Sequence, residues 1–385
     1  MTAPAGGDRR AAAGTAPAAD DRRAAAGTSR PGDNRRAAAG TAPPGDDRRA
    51  AAGASLPRAE RRPAAGASSL DDDRRAAAAM STVAEAPPWE RAGRPRPTWG
   101  LVEGDAIAPG RTVLRALGGG RRYEVFLVWD EHRLAVLVAK VLRPDQAEDA
   151  AAVQDFAREA ALLGRLAHPV VVRGFGAVTG ARLPHLLLEH LDGPSLQSLI
   201  ERHGRLGLEQ LLPLGLHVAS ALHYLGREGV VHLDIKPDNV VMGAPPRLID
   251  FSVARPQEAA RRLGKPVGTD AYMAPEQCAP GASPVGPATD VFGLGATLHH
   301  ALTGEKPFPR APGARDSSDA EVRFPQLVRE PAPLPRRTPR ALAELLAAML
   351  AREPDDRPSA ADVARGLEPV VAGLPRRLVL GRGGR

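Results

Sequence analysis

The chain of 385 residues has a single cysteine, Cys278, which excludes an intramolecular disulfide framework. Aromatic residues are also scarce, with three Trp, three Tyr and seven Phe. A nucleic-acid surface needs stacking rings and a concentrated basic stripe. A net charge of +7 spread over this length supplies neither, so no nucleic-acid partner is expected. No run of about eighteen or more apolar residues occurs, so no membrane span is expected. The N-terminus lacks the apolar core of a secretory signal, and a cytoplasmic location is the expectation. Lysine is nearly missing as well: of 52 basic residues, only Lys140, Lys236, Lys265 and Lys306 are lysines.

What is abundant in residues 1–79 is Ala, Gly and Arg. An Arg-Arg pair recurs at Arg9, Arg22, Arg35, Arg48, Arg61 and Arg74, a strict step of 13 residues. Apart from Ala, the apolar side chains there are Met1, Leu56 and Leu70, too few to offset the backbone entropy of ordering. Gly and Pro interrupt the Ala runs every turn or two. The expectation is a disordered repeat region over 1–79, a linker over 80–110, a folded domain over 111–367 and a short basic tail over 368–385.

From about Pro109 the texture changes. Arg111 to Leu117, Tyr123 to Trp129 and Arg133 to Leu142 have the alternation and β-branched content of three successive strands. Ala150 to Leu166 has helical apolar spacing, with Phe156, Ala160 and Leu163 on one side, and Leu183 to Glu189 is a further strand. After Gly193 the pattern is mostly helical, as in Leu208 to Gly226 and Ala288 to Leu302. A strand-rich lobe followed by a larger helical lobe implies a cleft between them. Arg310 to Pro339, rich in Pro, reads as an irregular connection.

Charge is concentrated where the apolar runs end. In VVHLDIKPDNVVM, Asp234 follows a strand-like run and precedes Lys236 and Asn239. That spacing suits a carboxylate accepting a hydroxyl proton, a lysine neutralising a phosphoryl oxygen and an amide oxygen meeting a metal. Asp250 ends the next apolar run in LIDFS, and an Asp facing Asn239 makes a hard-oxygen site suited to Mg²⁺ carrying phosphates. Upstream, LGGGRRYEVFLV is a Gly-rich turn able to bring backbone N–H groups to a phosphate chain, and Lys140 ends the strand that follows. Two of four lysines therefore stand where a phosphate needs a point charge.

Taken in order, these stretches resemble bacterial members of the eukaryotic-type serine/threonine protein kinase family over about 111–367. The resemblance rests on the Gly-rich loop at Gly118 to Val125, the strand lysine Lys140, the helix glutamate Glu159, and the loop from His232 to Asn239. Asp250, GTDAYMAPE at Gly268 to Glu276, DVFGLG at Asp290 to Gly295 and Arg357 in DDRPS complete it. One such motif is weak; eight in order and spacing are specific. The fold it implies is α+β and bilobal, a small β-rich lobe with one long helix and a larger helical lobe.

The resemblance also implies roles. Asp234 is the catalytic base, Lys236 stabilises the moving phosphoryl group, and Lys140 contacts ATP phosphates while paired to Glu159. Asn239 and Asp250 hold Mg²⁺ or Mn²⁺. ATP is implied to contact Leu117, Gly118, Gly119, Gly120, Val125, Val138, Lys140, Leu188, Glu189, Leu191, Asn239 and Asp250, with His190 also in the hinge. His232 and Phe251 are implied as packing, and Glu276 with Arg357 as a structural ion pair. Thr269 suits Ser/Thr acceptors in protein substrates.

Four departures qualify the match. Leu233 stands where many kinases carry the Arg that receives an activation-segment phosphate. Val253 to Gly268 contains no Ser, Thr or Tyr, so phosphorylation of this segment is not expected to switch the protein. Tyr123 replaces the third Gly of the loop, with a ring placed to cap the phosphates, and Val138 stands in place of Ala, pressing methyls toward adenine. Ser252 replaces Gly after Phe251, which costs freedom at positive φ. The alternative to an active kinase is a nucleotide-binding or scaffold pseudokinase.

Overall fold

The computed structural model describes residues 96–372. The repeat region 1–79, the first part of the linker and the last part of the basic tail lie outside the described residues. Six strands form one antiparallel sheet in the order β1-β2-β3-β4-β6-β5: β1 (Ala106–Ala108), β2 (Arg111–Gly119), β3 (Tyr123–Asp130), β4 (Ala135–Leu142), β5 (Gly174–Val178) and β6 (His185–Glu189). Helix α1 (Ala150–Arg165) enters between β4 and β5. The helical lobe is built on α2 (Leu196–His203), α3 (Leu208–Arg227), α4 (Pro287–Thr303), α5 (Arg340–Met349) and α6 (Ala360–Ala372). The α+β bilobal expectation holds.

Alternation along the strands decides which side chains meet the cleft. Phe126 and Val128 of β3 and Leu137, Ala139 and Val141 of β4 share one core with Ile107 and Val113. The intervening residues point the other way. Val125 stands opposite Lys140, Leu127 opposite Val138, and Val138 opposite Leu188 on β6. The period of two that buries Ala139 and Val141 therefore delivers Val125, Val138 and Lys140 to the cleft side.

Helix α1 begins with Asp149, whose side chain accepts from the Ala151 N–H. Its buried positions Ala152, Phe156, Glu159 and Leu163 recur at helical spacing, so a carboxylate is carried into the interior on the same stripe as the apolar anchors. In the helical lobe α3 is the central element, packed against α6 and α4.

Both edges of the sequence-derived domain need adjustment. The linker expectation for 80–110 fails for its described part, because β1 adds an edge strand to the sheet and Trp99 packs on the sheet core. The Trp99 indole N–H donates to Leu142 O at 2.6 Å, and Glu124 accepts from Thr98 and Trp99. At the other end α6 continues to Ala372, across the boundary placed at 367, because Leu367, Val370 and Val371 still pack on the lobe. Arg310 to Pro339 is irregular apart from short helical turns, as the prolines require.

Candidate active site

The cleft between the lobes has a volume of about 650 Å³. Its walls include Leu117, Tyr123, Val125, Val138, Lys140, Leu188 and Glu189 from the sheet, Gly120 from the turn between β2 and β3, His190 to Gly193 from the segment after β6, and Asn239, Val241, Ile249 and Asp250 from the helical lobe. The Glu189 carboxylate faces away, accepting from the Arg173 N–H at 2.9 Å. The Leu191 backbone makes no hydrogen bond among the described residues, which leaves it open to a ligand.

At the back of the cleft the Lys140 Nζ donates to Glu159 Oε1 at 2.8 Å, Glu159 Oε2 at 3.0 Å and Asp250 Oδ1 at 2.8 Å. Burial alone would push the Lys140 ammonium toward neutrality; Asp250 and Glu159 outweigh it and hold its pKa above the usual lysine range. Burial likewise opposes the Asp250 carboxylate, but Lys140 keeps its pKa well below the usual range. For Glu159 burial wins and its pKa is raised. Asp250 adopts φ 61, a left-handed conformation costly for a non-glycine residue and held here by the Lys140 bond.

The Tyr123 ring is turned inward. It lies 4.2 Å from the Lys140 Nζ and against Phe156, with its centre 6.0 Å from that ring. The ring is buried for the most part, yet it still forms part of the cleft wall beside Gly120 and Lys140. Burial pushes the phenol up to about 12.

The charged loop lies beside the cleft. The Lys236 Nζ donates to Asp234 Oδ2 at 2.8 Å and to Thr269 Oγ1 at 2.7 Å. The Asn239 amide donates to Asp234 O at 2.8 Å and Asp234 Oδ2 at 3.1 Å. Asp234 Oδ1 is buried without a hydrogen-bond partner among the described residues. An orphaned carboxylate oxygen is expensive to keep, and it leaves one acceptor free for a hydroxyl donor.

The loop is shaped from below by Asp290 of α4. Its two carboxylate oxygens accept from the His232 N–H at 2.7 Å and the Leu233 N–H at 2.8 Å. That grip sustains φ 68 at Leu233. Gly268 is required alongside, because a Cβ there would sit 2.6 Å from Leu233 O. His232 is buried and packs edge-on against Phe251, with ring centres 4.7 Å apart.

The donor set fits a divalent cation carried on phosphates. Asp250 Oδ2 and the Asn239 amide oxygen accept no hydrogen bond among the described residues, and Asp250 keeps 38% of its side chain exposed. Two hard oxygens are too few for an all-protein cage, and no cluster of three or more acidic, His or Cys ligands occurs among the described residues. Mg²⁺ bound partly by substrate phosphates requires no more.

The structure thus brings together Lys140, Glu159, Asp250 and, beside them, Asp234, Lys236 and Asn239. Of the expected ATP contacts, Gly118 and Gly119 do not line the main cleft. Gly119 sits with Gly120, Arg121, Lys236 and Arg315 around a shallower opening beside it. Val172, Val241 and Ile249 were missed because they belong to no motif, and only the fold brings these apolar residues to the cleft. Ser252 is not among the positive-φ residues, so its Cβ costs nothing in this conformation.

Away from the cleft, Glu276 and Arg357 form the expected pair, with bidentate contacts of 2.7 and 2.8 Å. Cys278 is buried beside Gln326, and burial pushes its thiol pKa up, away from the thiolate that reactive cysteines need. No helix among the described residues is long and apolar enough to cross a membrane.

Comparison with known proteins agrees with this geometry. Residues 111–366 match the family model of the protein kinase domain. The chain is 36% identical over 242 residues to the serine/threonine-protein kinase PkaA of Streptomyces coelicolor, covering 61% of this chain and 43% of that protein. It is 36% identical over 243 residues to PknK of Mycobacterium tuberculosis, covering 61% of this chain and 21% of that protein. With PknB of Mycobacterium leprae the identity is 30% over 272 residues, covering 67% of this chain and 42% of that protein. The chain spans less than half the length of each of these relatives.

Proposed function

The chain belongs to the protein kinase family, and on that premise we propose that it transfers the γ-phosphate of ATP to Ser and Thr hydroxyls of proteins without phosphorylation of its own activation segment. The observation that carries the first half is the Lys140 ammonium, shared at 2.8 Å between Glu159 of α1 and Asp250 of the helical lobe. This bond joins the two lobes in the arrangement that phosphoryl transfer needs.

Each residue then has a task that its surroundings support. The backbone of Leu188 to Leu191 holds the adenine edge, with Val125 and Val138 against the ring. Lys140 orients the phosphates. Asp250 Oδ2 and the Asn239 amide oxygen would hold Mg²⁺. When bound, that cation supplies neutralisation of phosphate charge. Asp234 orients the acceptor hydroxyl and takes its proton at the carboxylate, while Lys236 neutralises the phosphoryl oxygen in flight. A cytoplasmic setting, where ATP is the phosphate donor, is part of the same proposal.

Independence from activation-segment phosphorylation rests on what surrounds Leu233. Its side chain is 2% exposed and packs with Val231, Ala260 and Val285, against Val253, Leu263 and Val267 of the segment itself. An apolar contact does for this segment what a phosphate–arginine bond does elsewhere. The Gln277 amide donates to Leu233 O at 2.8 Å and Val267 O at 2.7 Å, tying loop and segment together. Lys236 reaches Thr269 as well.

The test is transfer from Mg-ATP to a generic Ser- and Thr-containing protein, using the full chain after phosphatase treatment. Transfer without a lag, confined to Ser and Thr and abolished by Asp234→Asn and Asp250→Ala, is the expected result. ATP binding without transfer would instead make the protein a nucleotide-binding scaffold. A lag that ends when Thr269 or Ser252 becomes phosphorylated would sink the independence claim alone.

A further inference from the structure

One carboxylate outside the catalytic set collects arginines from three elements. Asp155 lies on α1, one turn before Glu159. Its Oδ2 accepts from the Arg122 Nη1 at 3.1 Å, and its Oδ1 accepts from the Arg158 Nη1 at 2.7 Å. The Arg255 Nη2 stands 3.9 Å from the same Oδ1. Arg122 ends the Gly-rich turn, Arg158 belongs to α1, and Arg255 opens the activation segment. The Asp155 side chain is 21% exposed and that of Arg255 18%, so the contact is only partly screened by water.

The position of Arg255 gives the contact reach. Arg255 pairs backbone to backbone with Val231, the residue immediately before the catalytic loop. Its guanidinium also donates to Ala254 O at 2.9 Å, so its head is fixed to the segment's own backbone. A charge on α1 that holds Arg255 therefore ties the Glu159 helix to the strand that leads into His232 and Asp234. Arg122 ties in the phosphate-facing turn at the same carboxylate.

Three cations around one anion is also the arrangement that an added phosphate finds among arginines. Here the anion is already in the sequence, and neither Leu233 nor the Val253–Gly268 stretch provides for an added one.

We propose that Asp155 is a positioning residue for phosphoryl transfer, supplying from within the chain the anion that holds the activation segment and the Gly-rich turn to α1. This role rests on the kinase reading above, and deepens it by naming what replaces the phosphate. Asp155 touches no reacting atom; it acts through Arg255 and through the placement of Glu159.

The experiment compares the full-length wild type with Asp155→Asn, Arg255→Gln, the double variant and Asp155→Ala, by kcat, KM for ATP and thermal stability. Asp155→Asn is expected to lower kcat about 5–30-fold, with KM for ATP changed by less than about 3-fold and a melting temperature close to wild type. Arg255→Gln should lose a similar factor, and the double variant no more than the worse single one, as for two groups acting through one contact. Acetate should partly restore kcat in Asp155→Ala by occupying the emptied anion position, and leave Arg255→Gln unchanged. Wild-type kcat in Asp155→Asn, or additive losses in the double variant, would overturn the role. So would a kcat loss that merely tracks a fall in melting temperature. A wild type that transfers no phosphate overturns the kinase reading itself and this role with it.

Discussion

Lys140–Glu159 and Arg357–Glu276 are both buried ion pairs with contacts under 3 Å, yet they are built for opposite purposes. Arg357 and Glu276 have fully covered side chains. All five guanidinium N–H groups are used, on both Glu276 oxygens and on Ala351 O, Ala288 O and Arg352 O. Thr289 adds a donor to Glu276, and the guanidinium lies 5.0 Å from the Phe292 ring. The pair is neutral, closed and satisfied. At Lys140 one cation serves two carboxylates, and the second, Asp250, faces the cleft. That cluster has one more carboxylate than ammonium, and its second carboxylate is open to a cation in the cleft. The choice of basic residue follows: the fork of Arg suits a sealed pair, and the point charge of Lys suits a phosphate that comes and goes.

The largest effect that sharpens this contrast is Lys140→Met. Phosphate transfer should fall at least about 10²–10³-fold, the usual loss when one electrostatic stabiliser of a transition state is removed. Stability should fall less than at the sealed pair, because burial already raises the Glu159 pKa and its carboxyl can take a proton. Parallel kcat and thermal-melting measurements check both halves. A collapse of the fold equal to the loss of activity would erase the contrast.

The mirror experiment is Arg357→Met. Breaking one half of a fully buried pair costs about 3–5 kcal/mol, because the other charge stays behind. For a domain of this size that is a fall in melting temperature of about 10 °C. Measured well below the transition, kcat should stay within about 2-fold, since Arg357 meets nothing in the cleft. A large loss of kcat in protein that is still folded would show that the sealed pair also shapes the site.

The contrast explains which parts of the molecule were legible in the sequence. Lys140, Asp234, Lys236, Asn239 and Asp250 could be read as one candidate site because charged residues at the ends of apolar runs stand out, and the fold does bring them together. The main strands and helices followed from periods of two and 3.6, and β4 shows why: burying Ala139 and Val141 leaves Val138 and Lys140 no other side. Val172, Val241 and Ile249 could not be found, since an apolar residue near a strand end says nothing about which ligand it meets. The inward turn of the Tyr123 ring could not be read, because it depends on Phe156 and Lys140, both remote in sequence. Strand β1 and the Trp99 contact were lost to a linker because three short residues beside Gly and Pro carry too little pattern. Asp290 stood in a motif, but its grip on the His232 and Leu233 N–H groups belongs to the tertiary structure.

The smallest effect concerns acid, and it separates the lobe interior from the loop next to the cleft. Burial lowers the pKa of both His232 and His300 to about 4. An unfolded histidine titrates near 6.5, so each contributes stability in full above that pH and loses it as pH falls toward 4, where the unfolded chain takes up the proton first. The contribution is about 3 kcal/mol for each. Asp290 has the opposite sign: burial raises its pKa to about 7, so stability is present below the ordinary Asp range and is lost as pH rises to 7. The wild-type profile mixes these signs, and the informative quantity is the difference made by one residue. His300 lies in the lobe interior, where its Nδ1 and the Tyr272 hydroxyl are 2.8 Å apart, and a Gln amide oxygen can accept from the same hydroxyl. His300→Gln should therefore remove about 3 kcal/mol of acid sensitivity between pH 6.5 and 4, read from urea unfolding at several pH values, with kcat at neutral pH unchanged. An unaltered pH profile would mean that His300 is protonated without cost in the fold, and the acid sensitivity would then belong to His232, on the catalytic side of the comparison.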